Sequence, residues 1–161
     1  LEVVAFCKPL GIPVEAELGH VGDEGMSDLS DYGFTDPSLA AEYVGRTGID
    51  ALAVAIGNAH GVYRRKPEIR YEVLEAVRKA VSVPLVLHGA SGIPDEDIRR
   101  CAALGITKIN IHTELLLSAV ERLRQDVEEG ANYYTIFDHH VKAVKERTKE
   151  KILLFGSQGK S

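Results

Sequence analysis

The chain has 161 residues, 45% of them apolar and 27% charged, with a formal net charge of -5; this is one domain's worth of ordinary globular composition. The acidic balance and the lack of any basic run exclude nucleic acid as the main partner, because phosphate-backbone binding needs clustered Lys and Arg. Cys7 and Cys101 form no C-x-x-C pair and read as reduced core thiols, and no apolar stretch reaches bilayer length, so the expectation is a soluble, cytoplasmic protein without membrane or metal-knuckle character.

Residues 2–9 read as a helix closed by Gly11. The first residue is Leu1, the only methionine is Met26, and the opening already resembles the middle of an amphipathic helix, so an N-terminal part is expected to be missing. Residues 13–19 alternate apolar and acidic positions and predict a strand with Glu17 near its end. A long Gly, Asp and Ser-rich loop follows to Phe34, and a loop of that length in a compact domain is usually functional. Thr35, Asp36 and Pro37 start a helix that Gly48 stops.

The unit then repeats. Strands are predicted at 51–57, 85–88 and 107–112, helices at 67–81, 94–104 and 114–128, and a last helix over 134–154 before a polar tail. Alternating apolar strands and helices mean parallel strands with right-handed crossovers. No G-x-G-x-x-G follows the first strand, which counts against a dinucleotide fold. A complete (β/α)8 TIM barrel needs about 250 residues. The economical reading is an α/β chain, one domain over 1–161, that supplies the second half of such a barrel as four βα units plus a C-terminal helix.

In a parallel barrel the C-terminal strand ends share one face, where ligands bind. Read in order, those ends carry Glu17, His60, His88, then Asn110, His112 and Thr113. Two histidines and a carboxylate suit a zinc site, with Glu17 as a further position beside the metal. A lone strand-end histidine is ordinarily a hydrogen-bonded rim residue; two on neighbouring strands, each followed by glycine, favour the ligand reading. The turn Gly89, Ala90, Ser91 and Gly92 exposes backbone N–H groups that can cradle an anion. With Asn110 to Thr113 in the last unit, it stands where barrels build phosphate sites. Lys108 stands at the start of its predicted strand and is expected to face the opposite rim, which argues against a Schiff-base lysine. His20, His139, His140, Arg64 and Arg65 read as surface groups, and 114–129 and 142–151 as solvated helix faces.

VEAELG at 14–19, AIGNAHGVY at 55–63, PLVLHGASGIPD at 84–95 and TKINIHTEL at 107–115 together closely resemble the class II, metal-dependent ketose-bisphosphate aldolases. The resemblance implies a zinc lyase on a (β/α)8 barrel that reversibly cleaves a fructose or tagatose 1,6-bisphosphate to dihydroxyacetone phosphate and glyceraldehyde 3-phosphate. It implies Zn2+ on His60 and His88, with Glu17 close by, and a monovalent cation alongside. Gly61, Gly89, Ala90 and Ser91 match substrate-binding positions, as do Asn110, Ile111, His112 and Thr113; the third position of that N-x-x-T segment varies in the family. Glu24 is the nearest match to a glutamate base on the loop after the first strand. The family's remaining zinc histidine and its catalytic aspartate belong to the N-terminal half and match nothing here. The partners implied are a small sugar phosphate and further copies of the chain in a homo-oligomer. The alternatives are a non-catalytic phosphate-binding barrel subunit and an inactive fragment.

Overall fold

The computed structural model describes residues 1–21, 33–63 and 66–160. They form two compact units, Leu1–Asn110 and Ile111–Ser161. No helix among the described residues is long and apolar enough to cross a membrane.

The first unit is a four-stranded parallel sheet with its strands in sequence order: β1 (Glu15–Leu18), β2 (Ala51–Val54), β3 (Leu85–Leu87) and β4 (Ile106–Ile109). Helices α2 (Pro37–Thr47), α3 (Tyr71–Ala80) and α4 (Asp95–Ala103) make the three crossovers, and α1 (Glu2–Cys7) precedes the sheet. The unit is therefore α/β, and among the described residues the sheet's outer strands, β1 and β4, each pair on one side only.

Local chemistry explains most boundaries. Asp36 caps α2 through a side-chain oxygen that accepts from the backbone N–H of Ser38 and Leu39, with Pro37 in the first turn. Gly48 ends it in the left-handed conformation. Leu52, Val54, Leu85, Val86 and Leu87 of the strands are completely buried, as are Leu74, Val77, Ile98 and Cys101 of the helices. Each such aliphatic side chain contributes about 1.5–3 kcal/mol of apolar burial. Burial also raises the Cys101 thiol to about 11, which keeps it protonated and inert.

Most elements are shorter than the sequence pattern implies, and for β2 and α3 the structure shows why. β2 stops at Val54 because Gly57 turns the chain at φ +99 and the Asn58 side chain takes the N–H of Ile56 that a longer strand would use. α3 starts at Tyr71, four residues late, because the segment before it runs against that same turn: the Arg70 N–H donates to the Ile56 carbonyl, and a Cβ on Gly57 would stand 2.2 Å from the Glu68 carbonyl oxygen. The sheet-side hydrogen bond outweighs helix propensity there.

The second unit is a helical hairpin of α5 (Thr113–Glu128) and α6 (Tyr133–Leu154). Its faces are less solvated than their charge pattern implies. Asp126 is fully buried and takes hydrogen bonds from Arg122 and from His139 Nδ1 at 2.6 Å. Lys151 is buried too, and its ammonium lies 2.7 Å from Glu114. His139 and Lys151 are therefore interhelical partners rather than surface groups, because an acid buried in the hairpin needs a compensating donor.

Candidate metal centre

The candidate site is built on one face of the sheet. Alternation along β1 puts Glu15 and Glu17 on the same side, and their register partners on β2 are Ala51 and Ala53. Those small side chains leave the space that two carboxylates and an imidazole occupy. Val86 pairs with Ala53, and His88, two residues further on, shares its face just beyond the end of β3.

The imidazole of His88 lies between the two acids. Its Nδ1 is 2.8 Å from Glu17 Oε2, and its Nε2 is 2.9 Å from Glu15 Oε1. The other oxygen of Glu15 accepts from Lys108 Nζ at 2.7 Å. Burial raises the Glu15 carboxyl, but the hydrogen bonds from Lys108 and His88 outweigh it and leave the group below the usual carboxylate range.

Lys108 thus joins the cluster and does not face the opposite rim. The cause is a register shift between β3 and β4: Leu85 pairs with Ile106, but Val86 pairs with Lys108, so Thr107 is the extra residue of a bulge. Without it Thr107 would share the face of Val86. The bulge instead places Lys108, the third of four strand residues, on the face that carries His88.

His60 stands beyond β2 with its ring centroid 6.2 Å from that of His88. One ligand atom each from Glu17, His60 and His88 lie within 4.8 Å of one another. Two imidazoles and a carboxylate are the borderline donors that suit zinc and similar divalent ions. A carboxylate on Nε2 of His88 leaves Nδ1 as its donor atom, so the residues present fit a metal ion.

Three side chains that sequence reasoning did not assign to the site, those of Asn58, Tyr63 and Thr35, hold it together. Asn58, 2% exposed, accepts from the Ile56 N–H and donates from Nδ2 to the His88 carbonyl at 2.9 Å. Tyr63 accepts from the Ala59 N–H at 2.7 Å and donates to the Gly89 carbonyl at 2.9 Å. Burial pushes its phenol up to about 12, so the hydroxyl keeps its proton and remains a donor. Both residues therefore tie the loop carrying His60 to the one carrying His88. Thr35, 2% exposed, fastens the ends of β1 and β2: its hydroxyl donates to the Leu18 carbonyl and accepts from the Ala55 N–H. Gly89 is required between the two loops, since a Cβ there would stand 2.2 Å from the Ala59 carbonyl oxygen.

The glycine-rich turn is close by in the chain and in space. Ala90 and Ser91 are buried, Gly89 and Gly92 take φ of +62 and +89, and the Ala90 N–H donates to the Asn110 carbonyl. Asn110 thus belongs with the turn. Gly61, at φ +82, follows His60. Ile111, His112 and Thr113 fall in the second unit, where the His112 carbonyl accepts from Leu115 and Thr113 opens α5. Glu24 lies outside the described residues, as do Arg64 and Arg65.

Comparison with known proteins was made on this basis. Residues 1–160 match the family described as Fructose-bisphosphate aldolase class-II. The chain is 56% identical over 163 residues to a protein of Escherichia coli (strain K12) named Uncharacterized protein YdjI, covering 99% of this chain and 58% of that one. Among solved structures it superposes on the YdjI aldolase from Escherichia coli K12 with a TM-score of 0.85 at 53% identity, over 99% of this chain and 54% of that chain. A putative fructose-1,6-biphosphate aldolase from Coccidioides immitis gives 0.84 at 32% identity, over 99% and 57%. The fructose-bisphosphate aldolase of Campylobacter jejuni, at 20% identity and a TM-score of 0.73, shows a like fold. The chain spans little more than half the length of each relative and belongs to the class II fructose-bisphosphate aldolase family.

Proposed function

We propose that this chain is the second half of a (β/α)8 barrel and carries the zinc and phosphate sites of an aldehyde-lyase that reversibly cleaves a ketose 1,6-bisphosphate, of the fructose or tagatose type, in the cytoplasm. The observation that carries the reading is the convergence of Glu17, His60 and His88 donor atoms at the C-terminal ends of neighbouring parallel strands, the face on which barrel enzymes act. The half-barrel reading is supported by the outer strands that pair on one side only and by apolar side chains such as Val3, Phe6 and Leu10 that stand exposed.

His60 and His88 would hold the ion, with Glu17 beside it; a bound zinc supplies Lewis-acid polarisation of the substrate ketone. The residues of the chain do the rest. The turn at Gly89, Ala90 and Ser91 binds the substrate phosphate through backbone N–H groups other than that of Ala90, which the Asn110 carbonyl already takes, an arrangement that positions charge without reorganisation. Asn110, Ile111, His112 and Thr113 orient the dihydroxyacetone phosphate half, and Gly61 lets the backbone approach it. In the condensation direction Glu24 removes a proton from the carbon next to the carbonyl of dihydroxyacetone phosphate, and in the cleavage direction it returns a proton to that carbon once the carbon–carbon bond has broken.

The test is elemental analysis of the purified protein and of its His60→Ala and His88→Ala variants, with cleavage of fructose and tagatose 1,6-bisphosphate followed in parallel. Near-stoichiometric zinc that is lost in both variants, together with cleavage, is expected. No retained metal with phosphate binding intact would replace the lyase with a non-catalytic phosphate-binding subunit. Neither activity would mark an inactive fragment.

A further inference from the structure

The metal reading accounts for Glu17, His60 and His88 but leaves Glu15 and Lys108 without a task. Both are drawn onto the same imidazole by features the fold could have omitted. A strand of four residues spends two positions on acids of one face. A bulge in the neighbouring pair turns a lysine onto that face as well. The result is a relay from Lys108 Nζ through both oxygens of Glu15 to His88 Nε2, with contacts of 2.7 and 2.9 Å.

Each link has a chemical consequence. A neutral imidazole carries its proton on one nitrogen only, and the partner of that nitrogen decides which one. Glu15 and Glu17 compete for that proton from opposite edges of the ring. A proton drawn to Nδ1 would block the atom that faces Glu17. Lys108 orients Glu15: by holding Oε2 it aims Oε1 at His88 Nε2. The Lys108 side chain is about half exposed, so its role is orientation more than buried charge.

We propose that Glu15, held by Lys108, is a positioning residue that fixes the proton of His88 on Nε2 and thereby presents Nδ1, with Glu17 and His60, as a ligand set. The inference rests on the metal-site reading above for its metal arm and on the relay alone for its tautomer arm. Partners of this kind orient ligating histidines, and their loss typically weakens metal binding about 10–100-fold.

The experiment compares the full chain with Glu15→Gln and Lys108→Met. Zinc affinity is read by competition with a chromophoric chelator. The His88 tautomer is read from 15N chemical shifts in the metal-free protein with the ring neutral. Glu15→Gln is expected to weaken zinc about 10–100-fold and to move population from the Nε2–H to the Nδ1–H form. Lys108→Met, which leaves the carboxylate in place, is expected to move both readouts the same way by less. An unchanged tautomer ratio in Glu15→Gln overturns the proposal whatever the metal data show. If the parent binds no zinc, the metal reading fails, and the tautomer shift still decides the role of Glu15. Thermal melting of both variants separates this from simple unfolding: a tautomer change with the melting cooperativity of the parent supports positioning, and loss of cooperativity in Glu15→Gln passes the decision to Lys108→Met.

Discussion

Gly89→Ala tests the packing of the two histidine loops against each other. Gly89 has φ +62, and a Cβ there would lie 2.2 Å from the Ala59 carbonyl oxygen, 2.6 Å from its carbon and 3.2 Å from the His60 nitrogen. All three are backbone atoms, so the clash cannot be relieved by rotating a side chain. A left-handed conformation costs a non-glycine residue about 1–2 kcal/mol, and forcing extra bulk into a packed site about 1–3 kcal/mol more. The sum is a loss of about 2–5 kcal/mol. Gly48 is the natural control, because it has nearly the same φ, +68, but nothing within 4 Å of the added Cβ. Gly48→Ala should therefore show the backbone part alone, about 1–2 kcal/mol. Urea denaturation of the parent and both variants measures the difference. Zinc affinity should fall in Gly89→Ala, where the His60 backbone is pushed away, and stay at the parent level in Gly48→Ala. Equal destabilisation by the two substitutions would refute the close approach and with it the claim that Gly89 sets the spacing of the histidines.

Leu87→Ala removes a completely buried side chain at the end of β3 and should cost about 2–5 kcal/mol in the same denaturation experiment. Asn58→Ala leaves the Ile56 N–H and the His88 carbonyl without their side-chain partners; about 1–3 kcal/mol is expected for each group orphaned, accompanied by weaker zinc binding that chelator competition detects. The Asp36 carboxyl is held below its usual 3.8 by hydrogen bonds from Ser38 and Leu39. A depressed folded-state value means that its stabilisation is fully present above 3.8 and is lost as pH falls through the lower folded value. The stability gap between the parent and Asp36→Ala should therefore be constant from pH 7 to about 5 and close on further acidification, as followed by denaturant midpoints.

The strands and helices were legible because each carries its own local signal: Asp36 before Pro37, Gly48 after the helix, and an unbroken apolar Leu85 to Leu87. Glu17, His60 and His88 could be grouped because parallel topology alone places strand ends together. Glu15 was within reach of the same reasoning, since a residue two positions before Glu17 must share its face. Lys108 was not, because the face it occupies depends on an extra residue in β4 that no hydrophobic pattern marks. Asn58 and Tyr63 were hidden for a different reason: their partners are the carbonyls of His88 and Gly89, about thirty residues away, and such bonds exist only once β2 and β3 are aligned. Asp126 and Lys151 misled because charged residues at helical spacing ordinarily mark a wet face.

The cluster's long reach along the chain bears on the order of events in folding. Glu17 and His88 are 71 residues apart in sequence and Glu15 and Lys108 are 93, so no short segment of the nascent chain contains a usable chelate. Contacts between such distant residues form only after several crossovers have closed, and parallel pairing of this kind is intrinsically slow. An ion that needs the finished arrangement has little to hold in the folding transition state. The binding energy of such an ion would therefore go into slowing the unfolding rate and leave the folding rate nearly untouched, which would make a bound metal a latch on the completed sheet and not a nucleus for building it.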